Sequence, residues 1–485
     1  MRLDDDLKYF EEPEFKEILE KYEAAREAGQ AIYMDAEDLT DVAEYYSMVV
    51  HDDEQADEAI ALARQLHPDA VDPQVFKARQ FMQNGDLATA EQLCNAIDDQ
   101  QDREVYFLRA ELLIRQERTA EARTMLLEIA EEVEEDRDFF LYDSAYIFVD
   151  YRQFETALHF ANLLETIAPK WYKTWQVKAD TFLGLEAHEE ALTYINQMLD
   201  VDPFCTETWN WSAEAYCGLL QYDEAVGSAD YALAVEPDNE RALQLKAWAL
   251  LQQGNFADAH QLYSRLIKMT PDNEQNWLYD SYCLLDAEDV DGALAAIERA
   301  ESLAGGISPD QLSIYEQHAQ ILSRQGEVEQ ALTYIDRAEE FFLPDNDVLD
   351  LDLLRARIFA ENEQPERAVD YIASACQRHE ELQLEIVLQG AVLMMDCGYY
   401  EIAQNMFQEL LQYAATDEQR ADYYAYMAYC AYCLPDDEAA LKFMSLAAPA
   451  EARLRELFAE EFPGVLPSEY YDYFFFQVHG RWPQA

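Results

Sequence analysis

The sequence predicts an all-α solenoid built from about twelve antiparallel helix pairs, and three observations carry that reading. Pro169, Pro203, Pro237 and Pro271 stand 34 residues apart. Trp175, Trp209 and Trp277 fall at one matching position, and Ala179, Ala213 and Ala247 at another, inside one expected helix. Ala191, Ala225, Ala259 and Ala293 then recur inside the next. Self-similarity of this length marks stacked helical hairpins, in which each unit buries its apolar face against its neighbours. Scarce Gly and Pro, with half the residues hydrophobic, agree with a mostly helical chain.

Residues 1–36 are expected to supply an N-terminal capping helix, over about 8–29. Units then begin near Glu37, Val71, Arg103, Asp138, Tyr172, Thr206, Glu240, Glu274, Leu312, Leu349, Leu384 and Ala421. In the second, Phe76 to Met82 forms one helix, Asn84-Gly85-Asp86 turns the chain, and Ala88 to Ile97 returns it. Gly254, Gly326 and Gly398 hold the same turn, where a residue without a Cβ ends a helix at little cost. A first array covers 37–304. The stretch Gly305-Gly306-Ile307-Ser308-Pro309 lengthens the spacing to 38 residues between Glu274 and Leu312. A second array, 305–450, follows, either continuous with the first or divided from it. Another irregular join runs through Phe341-Phe342-Leu343-Pro344-Asp345. Residues 451–485 give a C-terminal helix and an aromatic tail of Tyr470, Tyr471, Tyr473, Phe474, Phe475 and Phe476. The last hairpin of a solenoid has an uncovered apolar face. The tail therefore either caps that face or offers a contact surface to a partner or a second copy.

The succession Trp209, Ala213, Tyr216, Ala225, Ala232, Pro237 resembles the tetratricopeptide repeat (TPR) family, as does Ala247, Leu250, Gly254, Ala259, Tyr263, Pro271. The resemblance spans roughly residues 37–450. It implies a right-handed superhelix in which the first helix of each pair lines a concave groove that takes a peptide or a partner's helix. Groove-facing positions would be the second, fifth, sixth, ninth and twelfth of each unit. The candidates are Tyr142, Tyr146, Lys173, Gln176, Asn210, Trp211, Arg241, Gln244, Trp248, Tyr279 and Tyr282, with Asp180, Glu207 and Glu214 on the same register. Rings would supply contact area and amides would bond a partner's backbone. The alternative for each is packing against the adjacent hairpin. A subclass of the family clamps a C-terminal carboxylate with paired basic residues. Here Lys173 and Arg241 meet Gln176, Asp180, Gln244 and Trp248 instead, so that pattern is missing.

Ninety-nine acidic residues face 34 basic ones, a formal charge of -65. Such a chain repels nucleic acid and anionic membranes. Its acidity reads either as a soluble, non-adhesive surface or as attraction to a basic partner. No apolar run is long enough to span a bilayer, and Met1-Arg2-Leu3-Asp4-Asp5-Asp6 does not begin a secretory signal. Scattered cysteines suit a reducing compartment, so the expected location is cytoplasmic. Cys430 and Cys433 have redox spacing but sit inside a helical pattern and read as core thiols. The histidines form no ligand motif, and no phosphate-binding glycine loop occurs. Catalytic residues, cofactors and metals are therefore not expected. The expected function is a non-catalytic scaffold or adaptor for proteins or peptides, monomeric or homodimeric. The alternatives are self-assembly through the tail and an enzyme enclosed by the solenoid.

Overall fold

The computed structural model describes residues 9–28, 32–133, 135–306, 308–340 and 345–483; the expectations for Met1 to Asp6, Ile307 and Phe341 to Pro344 lie outside them. Among the described residues the chain is all helix and turn. A leading helix, α1 (Pro13–Glu27), precedes twelve successive pairs. These are α2 (Ala36–Tyr45) with α3 (Asp53–Leu66), α4 (Asp72–Gln83) with α5 (Leu87–Ala96), and α6 (Arg103–Arg115) with α7 (Thr119–Glu132). Next come α8 (Arg137–Asp150) with α9 (Phe154–Ile167), α10 (Tyr172–Gly184) with α11 (His188–Val201), and α12 (Thr206–Gly218) with α13 (Tyr222–Val235). Then follow α14 (Glu240–Gln252) and α15 (Phe256–Met269), α16 (Glu274–Asp286) with α17 (Val290–Ala304), and α18 (Gln311–Arg324) with α19 (Val328–Glu339). The last are α20 (Asp345–Glu361) with α21 (Pro365–Arg378), α22 (Gln383–Asp396) with α23 (Tyr400–Leu410), and α24 (Asp417–Cys433) with α25 (Asp437–Leu446). Two terminal helices, α26 (Glu451–Phe458) and α27 (Tyr470–His479), follow. The architecture is the expected α-solenoid of helix pairs. The chain divides into two units, Met1–Ala249 and Leu250–Ala485.

Each recurrent residue has a physical task. Ala179, Ala191, Ala213, Ala225, Ala259 and Ala293 are fully buried, because helices packed this closely exclude anything larger than a methyl group. The indole N–H of Trp175 donates to the carbonyl of Pro169 at 3.0 Å. Trp209 makes the same bond to Pro203 at 2.9 Å, and Trp277 to Pro271 at 2.9 Å. The ring thus ties the start of a first helix to the loop that delivers it, which accounts for the six-residue Pro-to-Trp spacing.

The turn inside each pair needs one residue in left-handed backbone. Gly85, Gly254, Gly326 and Gly398 provide it, with φ between 74° and 82°. Glu117, Arg152, Glu186, Leu220, Glu288 and Glu363 hold positive φ at the corresponding place despite carrying a Cβ. At Leu220 the helix ends with Leu220 N–H on the Cys217 carbonyl (3.0 Å) and Gln221 N–H on the Tyr216 carbonyl (2.9 Å). That pair of bonds is the helix-terminating motif that satisfies the last free carbonyls.

A further regularity runs through the joints between pairs. The seventh residue of a unit, counted from the starts at Tyr172, Glu240, Glu274, Leu312 and Leu349, meets the second helix before it through a polar bond. Lys178 Nζ lies 2.8 Å from Glu165, Lys246 Nζ 2.6 Å from Asp230, and Asp280 2.6 Å from His260 Nδ1. His318 Nδ1 lies 3.1 Å from Glu301, and Arg355 2.8 Å from Asp336. Lys178 is 3% exposed and also faces the rings of Phe182 and Tyr194, at 5.7 and 5.3 Å. At the chain ends, Phe15 and Tyr22 of α1 are buried in the cluster that includes Leu39, Ala43 and Tyr46. Tyr470 and Phe474 of α27 are buried with Phe458, Phe462 and Met444.

Candidate functional site

First helices of successive pairs in the unit Met1–Ala249 wall a cavity of about 1370 Å³. Glu44 comes from α2, Arg79 from α4, Glu104 and Glu111 from α6, Asp150 from α8 and Asp180 from α10. Glu207, Asn210, Trp211 and Glu214 come from α12 and Arg241 from α14, with Phe204, Glu236 and Asn239 contributed by loops. Side chains three and four apart share a helix face, so Glu207, Asn210, Trp211 and Glu214 reach one wall together.

The wall is strongly acidic. Among its described residues eight bear carboxylates and two bear guanidinium groups. Both guanidinium groups are held by those acids. Arg79 Nη2 donates to Glu111 at 2.8 Å and to Glu104 at 3.2 Å, and Arg241 Nη2 to Glu214 at 2.9 Å. Burial, helped by Asp150, Glu214 and Glu207, pushes the Asp180 carboxyl up to about 7, since a second negative charge nearby opposes ionisation. Its Oδ2 is buried without a hydrogen-bond partner.

Asn210, 8% exposed, ends a short amide relay. The Ala242 backbone N–H, which can only donate, meets Asn239 Oδ1 at 2.9 Å. The other end of that amide donates to Glu236 Oε2 at 2.9 Å. Asn239 Oδ1 therefore faces the Asn210 nitrogen, at 3.1 Å, which turns Asn210 Oδ1 the other way. That oxygen is buried and accepts from nothing.

Of the residues proposed from the groove register, Asn210, Trp211 and Arg241 line this cavity. Asp180, Glu207 and Glu214 lie beside them. Tyr142 and Tyr146 are buried, edge to face at 4.8 Å, and the Tyr142 hydroxyl donates to Gln176 at 3.2 Å. Lys173 Nζ sits 4.7 Å from the Tyr142 ring centre, so these four residues form one packed cluster on α8 and α10. Gln244 donates to Glu240 on its own helix, and Trp248 packs edge-on against Tyr222 at 5.7 Å. Tyr279 and Tyr282 belong to the other unit, with Tyr279 5.7 Å from Tyr263. In the tail Tyr470 and Phe474 are buried, Tyr471, Tyr473 and Phe475 are half-buried, and Phe476 is exposed. Arg79, Glu104 and Glu111 were not among the candidates. They hold the ninth, second and ninth positions of units starting at Val71 and Arg103, so the same register carried two units earlier names them.

Elsewhere, burial pushes the Cys430 thiol up to about 12 and raises that of Cys433, the reverse of what a redox pair needs. Among the described residues no group of three or more His, Cys, Asp or Glu is arranged to hold a metal ion, and no helix is long and apolar enough to cross a membrane.

Residues 219–300 match the family model described as anaphase-promoting complex, cyclosome, subunit 3. That stretch runs through Pro237, Pro271 and Trp277, where the 34-residue pattern is cleanest, and its helices α14 to α17 make two consecutive pairs. The helix pairs of that stretch are tetratricopeptide-like repeats. Tetratricopeptide repeats generally act as protein–protein interaction scaffolds and are generally non-catalytic. No curated protein matches the sequence. Solved structures similar to this chain include a tetratricopeptide repeat protein from Parabacteroides merdae, 19% identical, covering 58% of this chain and 97% of that one at a TM-score of 0.40. PilW, a widely conserved type IV pilus biogenesis factor, is 19% identical over 43% of this chain and 94% of its own, at 0.39. A human IFIT1 dimer with PPP-AAAA is 12% identical over 77% and 89%, at 0.43.

Proposed function

We propose that this chain is a non-catalytic scaffold that receives a cationic segment of a partner chain in the cavity of its first unit. The composition of the wall, eight carboxylates to two guanidinium groups among its described residues, supports the reading. A concave site lined by one sign of charge focuses its field and concentrates ligands of the opposite sign. A fluorescent peptide of several spaced lysines and arginines is titrated with the full chain, beside its Glu/Asp counterpart. The basic peptide is expected to bind, more weakly as salt rises, and the acidic one not at all. Glu207→Gln with Glu214→Gln should weaken binding about tenfold or more. Neutralising Glu128 and Glu131, exposed residues outside the wall, should leave it almost unchanged. Equal losses in the two double variants would assign the effect to the protein's overall charge and sink the proposal.

A second reading, self-assembly through the tail, is favoured by one observation. Phe476 (40% exposed) and Trp482 (59% exposed) stack at 4.8 Å on the surface. Light scattering on Phe476→Ser with Trp482→Ser tests it, because these changes leave the buried Tyr470 and Phe474 in place. An assembly that this variant dissolves supports the reading, and an unchanged mass rejects it.

A further inference from the structure

Phe204, on the loop between α11 and α12, lines the acidic cavity yet is 74% exposed. In the repeats that carry the 34-residue prolines, the residue after Pro is Lys170, Phe204, Asp238 and Asp272. Three of these four loops close with a charged residue there, so the fold does not ask for a ring, and Phe204 gains little from a place that leaves it in water. Its position is nevertheless fixed. The Phe204 N–H donates to Asp202 Oδ1 at 3.1 Å, and the Pro203 carbonyl accepts from the Trp209 indole at 2.9 Å. Trp209 in turn stacks at 4.5 Å on Tyr231, which is exposed. One turn along α13 from Tyr231 stands Val235, also exposed and a second apolar residue of the cavity wall.

We infer that Phe204 and Val235 form an apolar anchor point for the partner segment, which seats one large apolar side chain there a few residues from its basic groups. The inference rests on the cationic-segment reading above and adds a second, apolar determinant to it. The short spacing follows from the wall, where Val235 adjoins Glu236 and Phe204 lies three residues before Glu207. Charge decides the occupant. A second copy of a chain with a net charge of -65 would bring more acid against a wall of eight carboxylates and two guanidinium groups among its described residues. A basic segment is drawn to the same wall. An aromatic side chain suits the anchor, because seating it against Phe204 and Val235 takes apolar surface of both chains out of water.

The probe is the peptide of spaced lysines and arginines, titrated with the full-length protein. Phe replaces Ser at each of its neutral positions in turn, which leaves the protein unaltered and its folding out of the question. At one or two adjacent positions Phe should tighten binding about tenfold or more, and elsewhere it should change little. Phe204→Ser should remove most of that gain while leaving the affinity for the Ser peptide almost unchanged. Leu220→Ser, at an exposed residue outside the wall, should leave the gain intact. Basic peptides that bind with no gain from Phe at any position, or a gain that survives Phe204→Ser, would overturn the anchor while leaving the acidic-cavity reading standing. Failure of every basic peptide to bind, with or without Phe, would overturn both. Light scattering in which Phe204→Ser lowers the mass of the protein would show a second copy covering the patch, and would overturn the assignment to a partner segment.

Discussion

Asp180 shows how one buried residue can cost stability in a pH-dependent way. Burial and the carboxylates of Asp150, Glu214 and Glu207 hold its pKa near 7, far above an ordinary aspartate. The folded state therefore keeps a proton there that the unfolded chain releases in the carboxylate range. Between the two pKa values folding binds more protons than unfolding, so this group's contribution to stability is present at low pH and is lost as pH rises through about 7. Asp180→Asn removes that dependence. Thermal melts at pH 5 and pH 8 should show the variant gaining more on the wild type at the higher pH. An equal gain at both would mean that charge is not the cause. At this scale the sequence was readable where register alone decides. It set Asp180, Asn210 and Glu214 on one face of their helices, and all three line the cavity. Register did not say that Tyr142 and Gln176 would bond to each other, because that depends on the distance between two helices.

At the scale of the hairpin, the turn asks for a left-handed residue, and turns such as those at Glu117 and Leu220 supply one with a side chain. Leu220 is the clearest case, with φ 58° and 69% exposure, so its side chain gains little packing to set against the strain. Leu220→Gly should stabilise the protein by roughly 0.5–1 kcal/mol, the left-handed penalty less the extra freedom glycine has when unfolded. Chemical denaturation would show this as a higher midpoint at unchanged slope, and a lower midpoint would mean the leucine packs in a way its exposure conceals. The helix pairs themselves were legible almost to the residue. Unit starts expected at Arg103, Tyr172, Thr206, Glu240 and Glu274 are the first residues of α6, α10, α12, α14 and α16. The expected start at Ala421 falls four residues inside α24, because the C-terminal units lack the Trp and Pro that sharpen the pattern. The polar joints were not legible. Lys178 with Glu165, or His318 with Glu301, have little in common as letters, and only the packing puts both pairs at the same kind of junction.

For the whole chain, a net charge of -65 means that folding gathers like charges together. Raising salt from about 0.01 M to about 0.15 M shortens the screening length from about 30 Å to about 8 Å. The melting temperature should rise over that interval, and a fall would show that attractive pairs such as Arg79 with Glu111 outweigh the repulsion. Part of the surface that carries this charge also forms the proposed binding wall, so the same salt series should raise stability while weakening capture of a basic peptide.

The polar joints carry a consequence for inheritance. Genes made of near-identical repeats lose and gain whole copies by misaligned recombination, and a loss of residues 240–273 keeps both the reading frame and the 34-residue spacing. It would nevertheless put Asp280 in the place of Lys246, opposite Asp230, so that two anions meet where an ion pair had been. Because successive joints use lysine, aspartate, histidine and arginine in turn, each copy is fitted to its own address. A lineage carrying this chain should therefore change its loops far more readily than its number of repeats.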